Sequence, residues 1–153
     1  MPRIGEIAPD FTLPDHEKRP VTLSALGGTP VLLVFYPLAF SSVCTGEMCA
    51  IRDDWRAFEE RGVRVLGISV DSTHALAAWR RDEGYTQDFL SDRWPTGAVA
   101  KLYGVWNEEH GYADRGSFLV DADGVLRATW RTVGPVARDL GGYLAGIDAL
   151  AAG

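Results

Sequence analysis

Cys44 stands where the chain is predicted to turn from a buried strand into a helix, and this position suits a reactive thiol. Residues 31–36 are aliphatic or aromatic, which is typical of a buried strand, and Pro37 ends the run. Ser41 or Ser42 can cap a helix that begins there, so Cys44 falls in the first turn. Unpaired backbone N–H groups and the positive end of the helix dipole meet in that turn, and both favour a thiolate over a neutral thiol.

A thiolate at Cys44 could attack a disulfide, a carbonyl carbon, a metal ion or the O–O bond of a peroxide. The dithiol motif Cys-x-x-Cys is missing, because position 47 is Glu47. No sequence signature ties one of the three histidines to Cys44 as the base that acyl transfer requires. Cys44 and Cys49 without a second pair of ligands are a weak zinc signal, and we expect neither a metal nor a cofactor. A peroxide is the target that remains.

Attack on a peroxide depends on hydrogen-bond donors directed at its oxygens more than on general acid–base catalysis. Ser41, three residues before Cys44, offers a hydroxyl, and Pro37 can shield one side of the sulfur. Arg115 lies where a turn enters a predicted strand; it could bring a permanent cation to the sulfur or pair with the aspartate before it. Glu47 is open to two interpretations, a residue that complements the helix dipole or a member of the site.

The order of predicted elements indicates an α/β fold with a central mixed sheet flanked by helices. We expect one domain over residues 1–153, without repeats or linkers. Its first half contains a hairpin of residues 8–13 and 21–23, a strand at 31–36, a helix from Ser42 through Phe58 and a strand at 63–70. Its second half contains a helix at 73–82, a strand at 89–91, a helix at 96–103, a hairpin of strands 117–120 and 125–130, and a helix from Arg138 to Ala151.

Composition limits the partners and the compartment. The net charge of -6 and the dispersed Lys and Arg residues argue against binding to nucleic acid or to an anionic membrane surface. No apolar run is long enough to span a membrane, and the first six residues lack the apolar core of a signal peptide. We therefore expect a cytoplasmic protein. In a reducing compartment two spare thiols are more often catalytic or redox-sensing than structural.

The spacing Pro37-x-x-x-Ser41-x-x-Cys44 resembles the active-site motif Pro-x-x-x-Thr/Ser-x-x-Cys of the peroxiredoxins. Arg115 falls where that family carries its active-site arginine. The resemblance extends over almost the whole chain and includes residues 5–13, 35–40 and 90–99. The last two runs look most like the one-cysteine alkyl hydroperoxide reductase E class of actinobacteria.

This resemblance implies a thioredoxin-like fold with an added N-terminal hairpin, a homodimer, and reduction of hydrogen peroxide and organic hydroperoxides through a sulfenic acid at Cys44. It also implies an external thiol system, either mycothiol with a mycoredoxin or thioredoxin, that restores the thiol. Leu38, Phe40 and Val43 are the candidate substrate-binding residues, and the apolar run 38–40 could favour organic or fatty-acid hydroperoxides.

Cys49 departs from the one-cysteine class. The spacing Cys44-x4-Cys49 looks like the bacterioferritin comigratory protein (Q-type) class, in which the second cysteine resolves the sulfenic acid as an intramolecular disulfide. In a regular helix five residues correspond to roughly 500° of rotation and about 7.5 Å of rise, so the two thiols face different sides. A resolving role therefore requires unwinding, which Gly46 makes easier. The alternative is a plain buried helix residue.

Two other functions stay open at this point. A thiol–disulfide oxidoreductase is disfavoured by the missing Cys-x-x-Cys motif. A redox-sensing or chaperone-like protein would use the oxidation of Cys44 as a switch rather than as a catalytic step.

Overall fold

The computed structural model describes residues 2–132 and 138–152, with the side chains of Cys44 and Ala152 outside the description. Within these ranges the strands are β1 (Thr12–Pro14), β2 (Pro20–Thr22), β3 (Val31–Phe35), β4 (Arg64–Ser69), β5 (Asp88–Ser91), β6 (Trp106–Asn107), β7 (Tyr112–Ala113), β8 (Arg115–Val120) and β9 (Leu126–Thr132). The α-helices are α1 (Ser42–Asp53), α2 (Trp55–Glu60), α3 (Thr73–Glu83), α4 (Ala98–Leu102) and α5 (Leu140–Ala152). A 3-10 helix spans Leu23–Leu26.

Five strands form the central sheet, in the order β5-β4-β3-β8-β9. β3 pairs in parallel with β4, and β4 in parallel with β5, whereas β8 runs antiparallel to β3 and to β9. β1 and β2 form the N-terminal hairpin, and β6 and β7 form a second, shorter one. The mixed α/β sheet and the N-terminal hairpin are therefore confirmed.

β3 is buried on both faces, which explains its uninterrupted apolar sequence. Leu33 and Phe35 pack in the cluster that includes the N-terminal hairpin and α4. Leu32 and Val34 pack in the opposite cluster, formed with α1, α2, α3 and α5. Because both faces are packed, the position of the C-terminal end of β3 is well defined. The segment that leads into α1 starts from there.

The helix predicted from Ser42 through Phe58 is interrupted, so that prediction is wrong in extent. α1 ends at Asp53, and α2 begins at Trp55. Asp54 between them has φ -110° and ψ 26°, outside the helical region. Aspartate has a lower helix propensity than most residues, which makes this a favourable place for a break.

Two later helices are shorter than predicted. α4 begins at Ala98 rather than at residue 96, because Gly97 has a left-handed φ of 73°. α5 begins at Leu140, and Arg138 precedes it. Among the described residues, no helix has both the length and the apolar character that a membrane crossing requires.

Gly97→Ala should destabilise the fold more than Gly111→Ala. Both glycines have a positive φ, 73° and 70°, which costs an alanine about 1 kcal/mol. A Cβ at position 97 would collide with the Trp106 ring, whereas one at position 111 meets no atom within 4 Å. We expect Gly111→Ala to lower the free energy of unfolding by about 1 kcal/mol, and Gly97→Ala by a further 1–3 kcal/mol or so. Urea titrations of both variants measure this, and equal losses would contradict the packing of Trp106.

Candidate active site

The sheet topology brings the predicted site residues together at the end of the sheet where the parallel strands terminate. β3, β4 and β5 are parallel, so their C-terminal ends lie together, and the segment that follows β3 leads into α1. The antiparallel β8 begins at this same end of the sheet, because its register places Gly116 opposite Phe35. Arg115, the first residue of β8, therefore lies beside the chain that enters α1.

α1 places Cys44 in its first turn, as predicted. The helix begins at Ser42, so Cys44 is its third residue and Ser41 immediately precedes it. The Thr45 N–H donates to the Ser41 carbonyl at 2.9 Å, which closes the turn. The thiol of Cys44 lies outside the described part of the structure, so the site is defined here by the groups around its backbone.

Glu47 is the centre of a buried ion cluster. Arg115 Nη1 donates to its Oε1 at 2.6 Å. Arg138 donates three times: Nε and the backbone N–H to Oε2 at 2.9 and 2.8 Å, and Nη2 to Oε1 at 3.1 Å. The side chains of Glu47, Arg115 and Arg138 are only 4%, 6% and 1% exposed. Charges buried to this degree are tolerated because they are paired and hydrogen-bonded.

Arg138 also ties the cluster to the sheet and to α5. Its Nη1 donates to the Phe35 carbonyl at 2.6 Å and to Ser117 Oγ at 2.9 Å. Ser117 Oγ in turn lies 2.7 Å from Tyr143 Oη of α5. Glu47 thus pairs with the predicted site residue Arg115, and Arg138 completes this cluster although the sequence analysis did not single it out. The sequence predicts Arg138 at the start of a helix, and no local pattern indicates that its side chain turns inward.

The charges of this cluster leave one positive charge in excess. Burial alone would raise the pKa of Glu47, but the hydrogen bonds and charge of Arg138, together with the charge of Arg115, hold it below its usual value. The carboxylate is therefore ionised at neutral pH and balances one of the two guanidinium groups. Arg115 Nε is buried and has no hydrogen-bond partner among the described residues. The cluster therefore brings a net positive charge beside the first turn of α1.

A cavity of about 680 Å³ opens at this place and brings most of the predicted residues together. Pro37, Leu38, Ser41, Val43 and Arg115 all contribute to its lining. Their convergence combines a hydroxyl, a guanidinium and three apolar side chains around the start of α1. The arrangement suits a small polar group at the helix terminus with an apolar substituent behind it.

Phe40 and Cys49 lie away from this cavity. Phe40 is 55% exposed, and its ring centroid lies 6.1 Å from that of Trp79. Cys49 is half-buried on α1, with Sγ 3.6 Å from Tyr85 Oη and 3.9 Å from a Glu83 carboxylate oxygen. α1 is a continuous helix through both cysteines, so a bond between their sulfurs requires that it unwind.

The far wall of the cavity comes from the β6–β7 hairpin, which the sequence analysis did not predict. His110 stacks on Tyr112 with ring centroids 5.3 Å apart, and its Nδ1 lies 3.2 Å from Asn107 Oδ1. All three residues line the cavity. Strands of two residues are too short to leave an alternating pattern, so no signal in the sequence could have identified this wall.

Comparisons with known proteins agree with the resemblance seen in the sequence. Residues 4–129 match the model of the AhpC/TSA family. The chain is 45% identical over 128 residues to alkyl hydroperoxide reductase E of Mycobacterium tuberculosis, covering 83% of this chain and 84% of the relative. It is 38% identical over 130 residues to peroxiredoxin Bcp of Escherichia coli, covering 81% and 82%. The crystal structure of peroxidoxin BcpB from Mycobacterium tuberculosis superposes with a TM-score of 0.87 at 29% identity, covering 98% of this chain and 99% of that one.

Glu47→Gln should remove an acid-sensitive contribution to stability. The pKa of Glu47 is lower in the fold than in the unfolded chain, so its carboxylate stabilises the fold at neutral pH. That contribution disappears as the pH falls below the ordinary glutamate value, about 4.3, and through the folded value. At pH 7 the variant leaves two buried guanidinium groups without a counter-charge, and we expect a loss of about 3–5 kcal/mol.

Urea unfolding between pH 3.5 and pH 7 measures this effect. The difference between wild type and Glu47→Gln should shrink towards the acid end of the range. Glu60→Gln is the matched control, because Glu60 pairs with Arg56 at the surface and should alter stability little at any pH. Parallel pH curves for wild type and Glu47→Gln would contradict the assigned role of the carboxylate.

Proposed function

This chain belongs to the AhpC/TSA family of peroxiredoxins and is a thiol peroxidase with a thioredoxin-like fold, and from that premise we propose that Cys44 is its peroxidatic cysteine. One observation carries the proposal. Arg115, Ser41 and Pro37 line a single cavity at the helix turn that contains Cys44.

In the proposed reaction the Cys44 thiolate attacks the terminal oxygen of a hydroperoxide. An S–O bond forms as the O–O bond breaks, and the sulfur is oxidised to a sulfenic acid. The other oxygen leaves as an alkoxide or hydroxide and takes up a proton to become an alcohol or water. Arg115, the Ser41 hydroxyl and the N–H groups of the first turn stabilise the negative charge that moves onto the leaving oxygen.

The cavity favours organic hydroperoxides as substrates alongside hydrogen peroxide. Its volume of about 680 Å³ is far larger than hydrogen peroxide requires, and Leu38 and Val43 give it an apolar section. These two residues carry this part of the proposal, since the Phe40 ring packs towards Trp79 instead. Equal second-order rate constants for hydrogen peroxide and a long-chain hydroperoxide would contradict such a preference.

Cys49 is proposed as the resolving cysteine. Its thiolate attacks the Cys44 sulfenic acid, an S–S bond forms as the S–O bond breaks, and the departing hydroxide takes up a proton to become water. The sulfurs can meet only if α1 unwinds between them, and Gly46 weakens the helix there. Glu47 lies in the same segment, so unwinding also separates it from Arg115 and Arg138. Resolution should therefore be much slower than oxidation.

An external thiol then returns both sulfurs to the reduced form, and we propose mycothiol with a mycoredoxin, or thioredoxin, as its source. The cytoplasm is the proposed compartment, because free thiols persist there. A homodimer is proposed as the assembly. Trp94, which follows β5, is 87% exposed, and Leu102 at the end of α4 is 48% exposed. Aromatic residues such as Trp94 are enriched at protein interfaces relative to the rest of the surface.

Intact mass after one equivalent of hydroperoxide tests the cycle. The wild-type protein should lose two hydrogens, because Cys44 and Cys49 form a disulfide. Cys49→Ser should instead gain one oxygen, and a second with excess oxidant, because its sulfenic acid has no resolving partner. Cys44→Ser should not change.

Each of the other outcomes has a definite meaning. A gain of one oxygen in the wild type would contradict resolution by Cys49 and leave a one-cysteine cycle. An unchanged mass in both the wild type and Cys49→Ser would contradict the assignment of Cys44.

A further inference from the structure

Phe40, the residue before Ser41, has an unusual backbone conformation. Its φ is 66°, in the left-handed region, and the only other described non-glycine residue with a positive φ is Lys18. A residue with a Cβ disfavours this region by roughly five- to thirtyfold in population. Residues held in such conformations cluster at functional sites, where the surrounding structure determines them. The segment between β3 and α1 must therefore be held in place by contacts of its own.

Asp71 supplies the clearest of these contacts. Its carboxylate Oδ2 accepts a hydrogen bond from the Ala39 N–H at 2.8 Å, directly before Phe40. Ser69 Oγ donates to the same oxygen at 2.7 Å. Ser91 Oγ donates to the backbone carbonyl of Asp71 at 2.6 Å. Ser69 ends β4, Ser91 ends β5, and both are nearly fully buried, so Asp71 is fixed to the edge of the sheet from two strands.

We propose that Asp71 is a positioning residue for peroxide reduction. By binding the Ala39 amide it keeps Phe40 left-handed, and this places Pro37 and Ser41 in the cavity at the first turn of α1. This inference rests on the proposed function, because it is Cys44 in that turn that reacts. Asp71 acts through the backbone: its carboxylate is occupied by the Ala39 amide and the Ser69 hydroxyl, and it does not line the cavity.

A double-mutant cycle separates this role from a general contribution to folding. Phe40→Gly makes the left-handed conformation inexpensive, because glycine populates it readily. If Asp71 acts by holding Phe40, then Asp71→Ala should be much less harmful when residue 40 is glycine. If Asp71 only stabilises the fold, its loss should have the same effect in both backgrounds. Asp71→Asn is the conservative variant, since its amide oxygen can still accept the Ala39 N–H.

The experiment is stopped-flow oxidation by hydrogen peroxide, which needs no contact with the Phe40 ring. We expect Asp71→Ala to lower the second-order rate constant about tenfold. This lies within the roughly five- to thirtyfold range by which a residue with a Cβ disfavours the left-handed region. We expect Asp71→Asn to stay within about threefold of wild type, because it keeps the hydrogen bond. In the Phe40→Gly background, Asp71→Ala should lower the rate constant by no more than about threefold, because glycine adopts the left-handed conformation without a steric penalty.

Three results would overturn the proposal: Asp71→Ala as fast as wild type, Asp71→Asn as slow as Asp71→Ala, or equal losses from Asp71→Ala in both backgrounds. Failure of the proposed function looks different. In that case wild-type Cys44 itself is not oxidised by hydrogen peroxide, and the positioning role fails with it. Oxidation of wild type followed by no effect of Asp71→Ala removes the positioning role alone.

Discussion

The buried carboxylate of Glu47, held between Arg115 and Arg138, is the interaction on which the rest of the site depends. It joins α1 to β8, and Arg138 extends the connection to the end of β3 and, through Ser117, to α5. Removing three charges from water is costly unless each is paired. The pairing here fixes the orientation of Arg115 towards the turn of Cys44, and it leaves one positive charge in excess. Under the proposed function, this charge adds to the general preference of a helix N-terminus for anions.

The same cluster sets the cost of any movement of α1. A helix that carries both the attacking thiol and its proposed resolving partner must be ordered for the first step and unwound for the second. Glu47 lies between the two cysteines, so its ion pairs stabilise the ordered form and oppose the unwound one. The Tyr85 hydroxyl acts in the same direction through a longer contact of 3.4 Å with the Thr45 carbonyl. Under the proposed function, an ordered first turn of α1 favours oxidation of Cys44 but opposes resolution by Cys49. The rate of resolution would therefore depend on the stability of this part of α1.

Local patterns in the sequence predict the strands, helices and turns that neighbouring residues determine. The apolar run at 31–36 identifies β3, and the spacing from Pro37 to Cys44 identifies the turn that follows it. The role of Arg138 could not be predicted in this way. Arg138 lies 91 residues from Glu47, and the two meet only because the tertiary fold brings them together. Phe40 gives no sign of its left-handed backbone, since glycine or asparagine is the usual indicator. Buried charge and backbone strain depend on tertiary contacts, and the sequence reports them only indirectly.

The most direct test of this account is the second-order rate constant for oxidation of Cys44 in Arg115→Ala, measured by stopped flow against wild type. Glu47 keeps its contacts with Arg138 in this variant, so the fold should persist, which an unchanged circular dichroism spectrum would show. We predict a fall of at least about a hundredfold, the scale expected when one oriented donor is lost from a site of charge development. Oxidation at the wild-type rate by a folded Arg115→Ala protein would contradict it and return Arg115 to a purely structural role.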